Sequence, residues 1–331
     1  MIVRFVSGLV LCLLPLWVVA ADQPVAIALH GGAGTIERDR MSAEAEAEYR
    51  SFLDRAISEG YQQLQAGEEG LDVAVAIIQR MEDSPLFNAG KGSVYTWDGK
   101  HELDASIMHG AQLDAGAVAG VTTVQSPIAL ARAVMEQSPH VMLASKGAEQ
   151  FARELGIPEV SPAYFETERR KRALESYKAS KQAGVEPRVD FKFGTVGIVV
   201  LDSKGNLVAG TSTGGMTGKR WGRIGDAPVI GAGTYADNNS CAVSATGHGE
   251  FFIRHTVARD ICARMQFAGQ NLQEAAETVI MDELVAAGGD GGIVAVDATG
   301  EVSMVFNTPG MYRASVSGSG EKRIGIFGDE P

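Results

Sequence analysis

The chain has 331 residues, of which 45% are hydrophobic, 21% charged and 7% aromatic. That is ample material for one large core, and it excludes disordered, collagen-like and coiled-coil readings. The 29 Lys+Arg against 41 Asp+Glu give a formal charge of −12, so nucleic acid and anionic membrane surfaces, which repel an acidic chain, are poor partners.

Arg4 precedes an apolar run over 5–19 that ends in Val18-Val19-Ala20-Ala21 before Asp22. A basic start, a short apolar stretch and small residues before a polar one predict a cleavable signal over 1–21, hence a secreted protein, periplasmic in a Gram-negative cell. The run is short for a membrane span of about 20 residues, and Pro15 interrupts it. No later stretch is long and apolar enough to span, so no membrane partner is expected for the mature chain. Loss of the leader removes Cys12 and leaves Cys241 and Cys262. Two cysteines are no disulfide framework, and one bridge and two buried thiols both fit.

Residues 25–29 read as a buried strand ending in a turn, His30-Gly31-Gly32-Ala33-Gly34. Apolar spacing predicts helices over 42–65, with Ser42 as the start signal, and over 71–81. Strands follow around 93–96, 101–108 and 115–124, then helices over 127–136 and 143–155. Residues 157–193 carry Glu166-Thr167-Glu168-Arg169-Arg170-Lys171-Arg172 and few large apolar groups. They read as an exposed, mobile connector, helical in places. Strands at 196–201 and 206–213 flank a Ser203-Lys204-Gly205 turn. A strand over 241–245, helices over 251–265 and 272–287, and a hairpin of 293–296 with 301–305 complete the chain. Strands and helices are grouped rather than alternating, which favours sheets packed between helical layers over a doubly wound parallel sheet.

The chemistry centres on Gly194-Thr195, where the connector meets an apolar strand. A threonine hydroxyl is a weak nucleophile without a base beside it. A cut before Thr195 creates an α-amine with a pKa near 8, a suitable base near neutral pH. Hydroxyls and glycines cluster again in Gly210-Thr211-Ser212-Thr213-Gly214-Gly215. Arg223 and Asp226 lie three residues apart in a Gly-rich loop and could hold the carboxylate and amine of an amino acid, although by spacing alone a plain surface ion pair is the commoner outcome. In Ser244-Ala245-Thr246-Gly247-His248-Gly249-Glu250 a strand turns into a helix, where backbone N–H groups and a hydroxyl suit a developing oxyanion.

Together these segments resemble the plant-type asparaginase / isoaspartyl peptidase family of N-terminal-nucleophile hydrolases. The resemblance also covers His30-Gly31-Gly32-Ala33-Gly34, Leu86-Phe87-Asn88-Ala89-Gly90-Lys91-Gly92, His101-Glu102-Leu103-Asp104-Ala105-Ser106, Gly289-Asp290-Gly291-Gly292 and Phe306-Asn307-Thr308-Pro309-Gly310. It implies an α+β fold, a four-layer αββα sandwich forming one catalytic domain over 22–331. It implies self-cleavage into 22–194 and 195–331, with Thr195 as nucleophile and a β-aspartyl ester as intermediate. The substrates implied are small molecules, L-asparagine and β-aspartyl dipeptides. Thr213 would support Thr195, Arg223 and Asp226 would bind the substrate α-carboxylate and α-amine, Thr246 and Gly247 would form the oxyanion hole, Gly249 would line the pocket, and Asn88 would lie close by. No catalytic cofactor is implied. Met81, Glu82, Ser84, Phe87, Ala89 and Lys91 match a loop whose carbonyls hold a structural sodium ion in similar bacterial enzymes. A homodimer of αβ units is also implied. His248 stands where many bacterial members have threonine.

Three rivals stand beside this reading. Glycosylasparaginases share the superfamily but usually carry Asp where this chain has Gly194. Residues 210–214 match the G-x-S-x-G nucleophile elbow, with Ser212 as nucleophile, but Gly214-Gly215-Met216-Thr217-Gly218 is a poor helix start. A non-catalytic amino-acid-binding protein would stay uncut. The six histidines show no close metal-ligand spacing, which argues against a catalytic metal.

Overall fold

The computed structural model describes residues 24–185 and 194–330. The expected leader and the last part of the connector lie outside the described residues. The chain runs β1 (Ala26–Gly34), α1 (Ala43–Gln65), α2 (Gly70–Glu82), β2 (Leu103–His109), β3 (Asp114–Val121), α3 (Pro127–Gln137), β4 (Met142–Ala144), α4 (Ser145–Glu154) and α5 (Glu168–Gln182). It continues with β5 (Val196–Leu201), β6 (Leu207–Thr213), β7 (Thr234–Ala236), β8 (Cys241–Gly247), α6 (Gly249–His255), α7 (Val257–Ala268), α8 (Leu272–Glu277), α9 (Leu284–Ala286), β9 (Gly291–Asp297), β10 (Val302–Ser303), β11 (Gly310–Val316) and β12 (Lys322–Phe327). It is a mixed α and β protein with two stacked sheets. The larger has the order β12-β11-β1-β5-β6-β2-β3-β4, the smaller β10-β9-β8-β7. All pairings are antiparallel except β3 with β4.

Side-chain alternation explains the stacking. In β1, Ile27 and Leu29 point to one core with Ile57, Ile77 and Ile78 of α1 and α2. Ala26 and Ala28 point to a second core with Val243 and Ala295 of the smaller sheet. Successive strand residues face opposite sides, so large side chains meet helices and small ones let the sheets approach. β5 repeats the pattern, with Val196, Ile198 and Val200 on the helix side and Val199 and Leu201 between the sheets. The bridge Cys241–Cys262 ties the start of β8 to α7, which resolves the two cysteines as a pair.

Several expected elements differ. His30–Gly34 continues β1 rather than turning, because β11 pairs along it, with a register shift between His30 and Gly32. Residues 93–96 form no strand. The helix expected over 251–265 breaks at Thr256, whose φ of +48° interrupts α6 and α7. The connector is not simply exposed. A 3-10 turn, Pro162–Phe165, and α5 pack onto the body, with Phe165, Arg170 and Leu174 buried. β11 and β12 were not foreseen.

Glu82, at the end of α2, is buried and joins three elements. It accepts from Ser126 Oγ at 2.6 Å, Ile128 N at 3.0 Å and Ser212 Oγ at 2.7 Å. Burial nonetheless pushes its carboxyl from 4.5 up to about 7. Between those values the folded chain keeps a proton that the unfolded chain releases. The stabilising contribution is therefore full below about pH 4.5 and lost as pH rises through 7. Glu82→Gln should remove this loss: thermal denaturation should show the variant gaining on the parent between pH 5 and 8, by an amount on the order of 3 kcal/mol. A constant offset across that range would sink the assignment.

Candidate active site

The register of β5 against β6 builds the centre of the site. Val196 pairs with Ser212, so Thr213 stands beside Thr195. Thr195 donates its hydroxyl to Thr213 Oγ1 at 3.2 Å. Thr213 Oγ1 lies 2.9 Å from the Gly194 carbonyl, to which it donates, and accepts from Gly215 N at 3.0 Å. Asn88 donates Nδ2 to the same Gly194 carbonyl at 2.8 Å and to Gly215 O at 2.7 Å, while its Oδ1 accepts from Val94 N at 2.8 Å. The peptide before Thr195 thus has its oxygen in the grip of two side-chain donors, and the threonine hydroxyl adjoins it.

Gly32 makes the close approach possible. Its φ is +113°, and a Cβ there would sit 3.0 Å from Gly194 Cα, a conformation and a space that only glycine fits. Behind Thr195, buried His30 donates Nδ1 to the Thr195 carbonyl at 3.0 Å, and its Nε2 accepts from Ser244 Oγ at 3.0 Å. Burial lowers its pKa to about 3, so the ring is neutral. Ser244 Oγ contacts Thr211 Oγ1 at 2.8 Å, and Thr234 and Ser106 continue the chain to the Ala227 carbonyl. The sequence reading missed His30 and this buried hydroxyl chain; the only signal was a run of Ser and Thr at alternate strand positions.

The residues expected to bind substrate gather beside Gly194. A cavity of only about 10 Å³ is lined by Gly194, Thr195, Thr213, Arg223, Asp226 and Gly247. Thr246 is fully buried, and its Oγ1 accepts from Ala33 N at 3.4 Å, which leaves its own proton available. Gly247 sits beside it with φ of +154°. Arg223 and Asp226 do not pair with each other. Arg223 is held side-on by Glu250, Nε and Nη2 each at 2.9 Å. Asp226 is 5% exposed, and its Oδ2 lacks a hydrogen-bond partner among the described residues. Burial pushes its carboxyl from 3.8 up to about 7. Gly249 leaves the room between them: a Cβ there would meet Asp226 Oδ1 at 2.8 Å and Arg223 Nη2 at 2.9 Å. Glu250 was missed because it lies in the first turn of α6, with no spacing relation to Arg223.

Ser212 does not serve as an elbow. Strand alternation turns it away from Thr195 and Thr213 to the helix side, where it bonds Glu82, and β6 carries it in a strand. The loop after α2 folds tightly: Lys91 N donates to Glu82 O at 2.6 Å, and Ser84 N to Met81 O at 3.3 Å. Among the described residues no group of three or more His, Cys, Asp or Glu could hold a metal ion, and no helix is long and apolar enough to cross a membrane.

A catalytic threonine candidate behind a glycine, set between stacked sheets, defines an amidohydrolase-type site. Residues 23–326 match the asparaginase family model, and this chain belongs to that family. It is 50% identical over 293 residues to the isoaspartyl peptidase of Escherichia coli (strain K12), covering 87% of this chain and 91% of that protein. It is 41% identical to a probable isoaspartyl peptidase/L-asparaginase 2 of Arabidopsis thaliana (91% and 98% covered). It is 39% identical to the human isoaspartyl peptidase/L-asparaginase (93% and 97% covered). The secretion and periplasmic location expected from residues 1–21 are not upheld: the matched bacterial and animal relatives, isoaspartyl peptidases by name, give the leader reading no support.

An amino acid bound through its ammonium group needs Asp226 ionised. Calorimetric binding of L-aspartate to the purified protein should weaken about tenfold from pH 8 to pH 6 as Asp226 protonates. Asp226→Asn should lose both the affinity and the pH dependence. A parent protein whose affinity is flat over this range would contradict the role.

Proposed function

We propose that this protein cuts itself between Gly194 and Thr195 and then acts as an isoaspartyl peptidase and L-asparaginase. The observation that carries the reading is the Gly194 carbonyl held by Asn88 and Thr213 beside the Thr195 hydroxyl. In the cut, Thr195 Oγ1 attacks the Gly194 carbonyl carbon, and its proton passes to the Thr195 nitrogen as the C–N bond breaks. Negative charge gathers on the oxygen that Asn88 Nδ2 and Thr213 Oγ1 already face. Collapse transfers the Gly194 acyl group from nitrogen to oxygen and frees the Thr195 amine. Water then hydrolyses the ester, giving one chain that ends at Gly194 and another over 195–331.

In turnover the new α-amine takes the proton of Thr195 Oγ1, which attacks the side-chain carbonyl of an aspartyl group. Arg223 would take the substrate α-carboxylate and Asp226 its α-ammonium, with Gly249 giving them room. The Thr246 hydroxyl and Gly247 N–H would hold the oxyanion. The leaving amine takes the proton back from the α-amine, and water releases L-aspartate from the β-aspartyl ester. Glycosylasparaginase, serine hydrolase and binding-protein readings are not favoured by the relatives, which are named isoaspartyl peptidases.

The same proposal takes the packing as the four-layer αββα sandwich of N-terminal-nucleophile hydrolases and the functional unit as a homodimer of αβ units. The carbonyls of Met81, Glu82, Ser84, Phe87, Ala89 and Lys91 would hold a structural sodium ion, which would brace the loop carrying Asn88. Hard oxygen donors suit that ion, and glycine at 92, where a Cβ would lie 2.8 Å from Phe87 O, leaves these carbonyls close together.

Intact mass of the purified protein should give two fragments meeting at Gly194/Thr195, and Thr195→Ala should be single-chain and inactive. Asn88→Ala should slow the cut by about 10²–10³-fold, the usual cost of one oxyanion donor. An uncut parent that hydrolyses L-asparagine would overturn the mechanism. Replacing sodium with choline at equal ionic strength should lower the melting temperature; an unchanged value would remove the ion.

A further inference from the structure

Gly194 borders two cavities. On one side is the small space with Arg223 and Asp226. On the other is a cavity of about 310 Å³, bounded by the Gly31–Gly32 backbone, Tyr49, Phe87, Tyr312 and the first turn of α5. Under the reading above, the leaving nitrogen of a substrate is protonated by the Thr195 α-amine and departs beside it. Before the cut, the carbonyl carbon bonded to the Thr195 nitrogen belongs to Gly194, so the cut frees the space beside that amine. Of the two cavities that Gly194 lines, only the larger has room for the leaving half of a dipeptide.

The cavity wall carries unusual charge. Arg170 is 4% exposed. Its Nε donates to Gly92 O at 2.7 Å, and among the described residues no carboxylate pairs with it. Burial, and the adjacent Arg169 charge, lower its pKa to about 9. Arg169 is oriented by Tyr49 Oη at 2.8 Å and Leu86 O at 3.3 Å. At the outer rim Glu37 and Arg40 pair with each other at 2.8 Å. Two adjacent cations with one desolvated are costly to hold unless an anion joins them. The stacked rings of Tyr49 and Tyr312, centroids 4.1 Å apart, and Phe87 supply an apolar wall beside them.

We propose that this cavity is the leaving-residue subsite: it takes the C-terminal amino acid of a β-aspartyl dipeptide, with Arg170 and Arg169 reading its α-carboxylate and the aromatic wall receiving its side chain. L-Asparagine, whose leaving group is ammonia, makes no use of it. The subsite rests on Thr195 being the nucleophile.

The test compares three substrates of the self-cleaved enzyme: β-aspartyl-leucine, its C-terminal carboxamide, and L-asparagine. Capping the carboxylate should lower kcat/KM about 10–100-fold, mainly through KM, as expected for losing a charge-assisted hydrogen bond. Arg170→Gln should bring the acid and the amide within about threefold of each other, and should lower the ratio of β-aspartyl-leucine to L-asparagine turnover by a similar factor. Arg169→Gln serves as the second variant, and the comparison on the parent enzyme decides alone if neither variant folds. Equal turnover of acid and amide by the parent, or a preference that survives in both folded variants, would overturn the subsite. An enzyme that hydrolyses L-asparagine but shows no dependence on the leaving residue would overturn it while leaving the nucleophile intact. Failure on all three substrates would overturn the functional reading itself and the subsite with it.

Discussion

The site depends on one peptide oxygen, that of Gly194, and on what holds it. Asn88 and Thr213 can both reach it only because β5 and β6 pair with Val196 opposite Ser212. That register is set by apolar alternation on both strands. A slip of one residue would turn Thr213 to the helix side and bring Ser212 between the sheets. The large core of α1, α2 and the eight-stranded sheet therefore does chemical work at a distance: it makes the correct register the only one that buries Ile198, Val200 and Val208.

The space between the sheets is apolar over most of its area but polar behind Thr195. His30, Ser244, Thr211, Thr234 and Ser106 bond in series. Each buried polar group there has a partner, which avoids the cost of leaving it unmade. The chain needs room, and Gly197 provides it, since any Cβ at that position would collide with Ser244 and His30. The network starts at the Thr195 carbonyl and ends at the Ala227 carbonyl, next to Asp226. The strand that follows Thr195 and the loop that carries Asp226 are thereby held in one frame.

Charge is arranged with the same economy. Asp226 is buried and its Oδ2 lacks a hydrogen-bond partner among the described residues, which under the proposed function suits it to receive a cation. Arg223 is braced by Glu250, so its fork does not have to be ordered when an anion arrives, and an interaction with a pre-oriented group loses less entropy. Glu82 fastens α2, α3 and β6 from the opposite face of the sheet.

Much of this was legible from residues alone. Most of the strands, the helices 42–65 and 71–81, and the segments around Thr195, Thr213, Arg223, Asp226 and Thr246 could be read because each is a local pattern: a period, a cap, a glycine beside a hydroxyl. The continuation of β1 through His30–Gly34 could not, because glycines read as a turn until a partner strand, β11, claims their hydrogen bonds. The packing of α5 was hidden because its sequence is polar and only three residues of its stretch, Phe165, Arg170 and Leu174, are buried. Arg223 paired with Glu250 rather than Asp226, and the Cys241–Cys262 bridge formed, for the same reason. Composition and spacing determine which groups exist and which local conformations they favour. Which distant groups meet is decided only when the strands find their register and the two sheets close on each other.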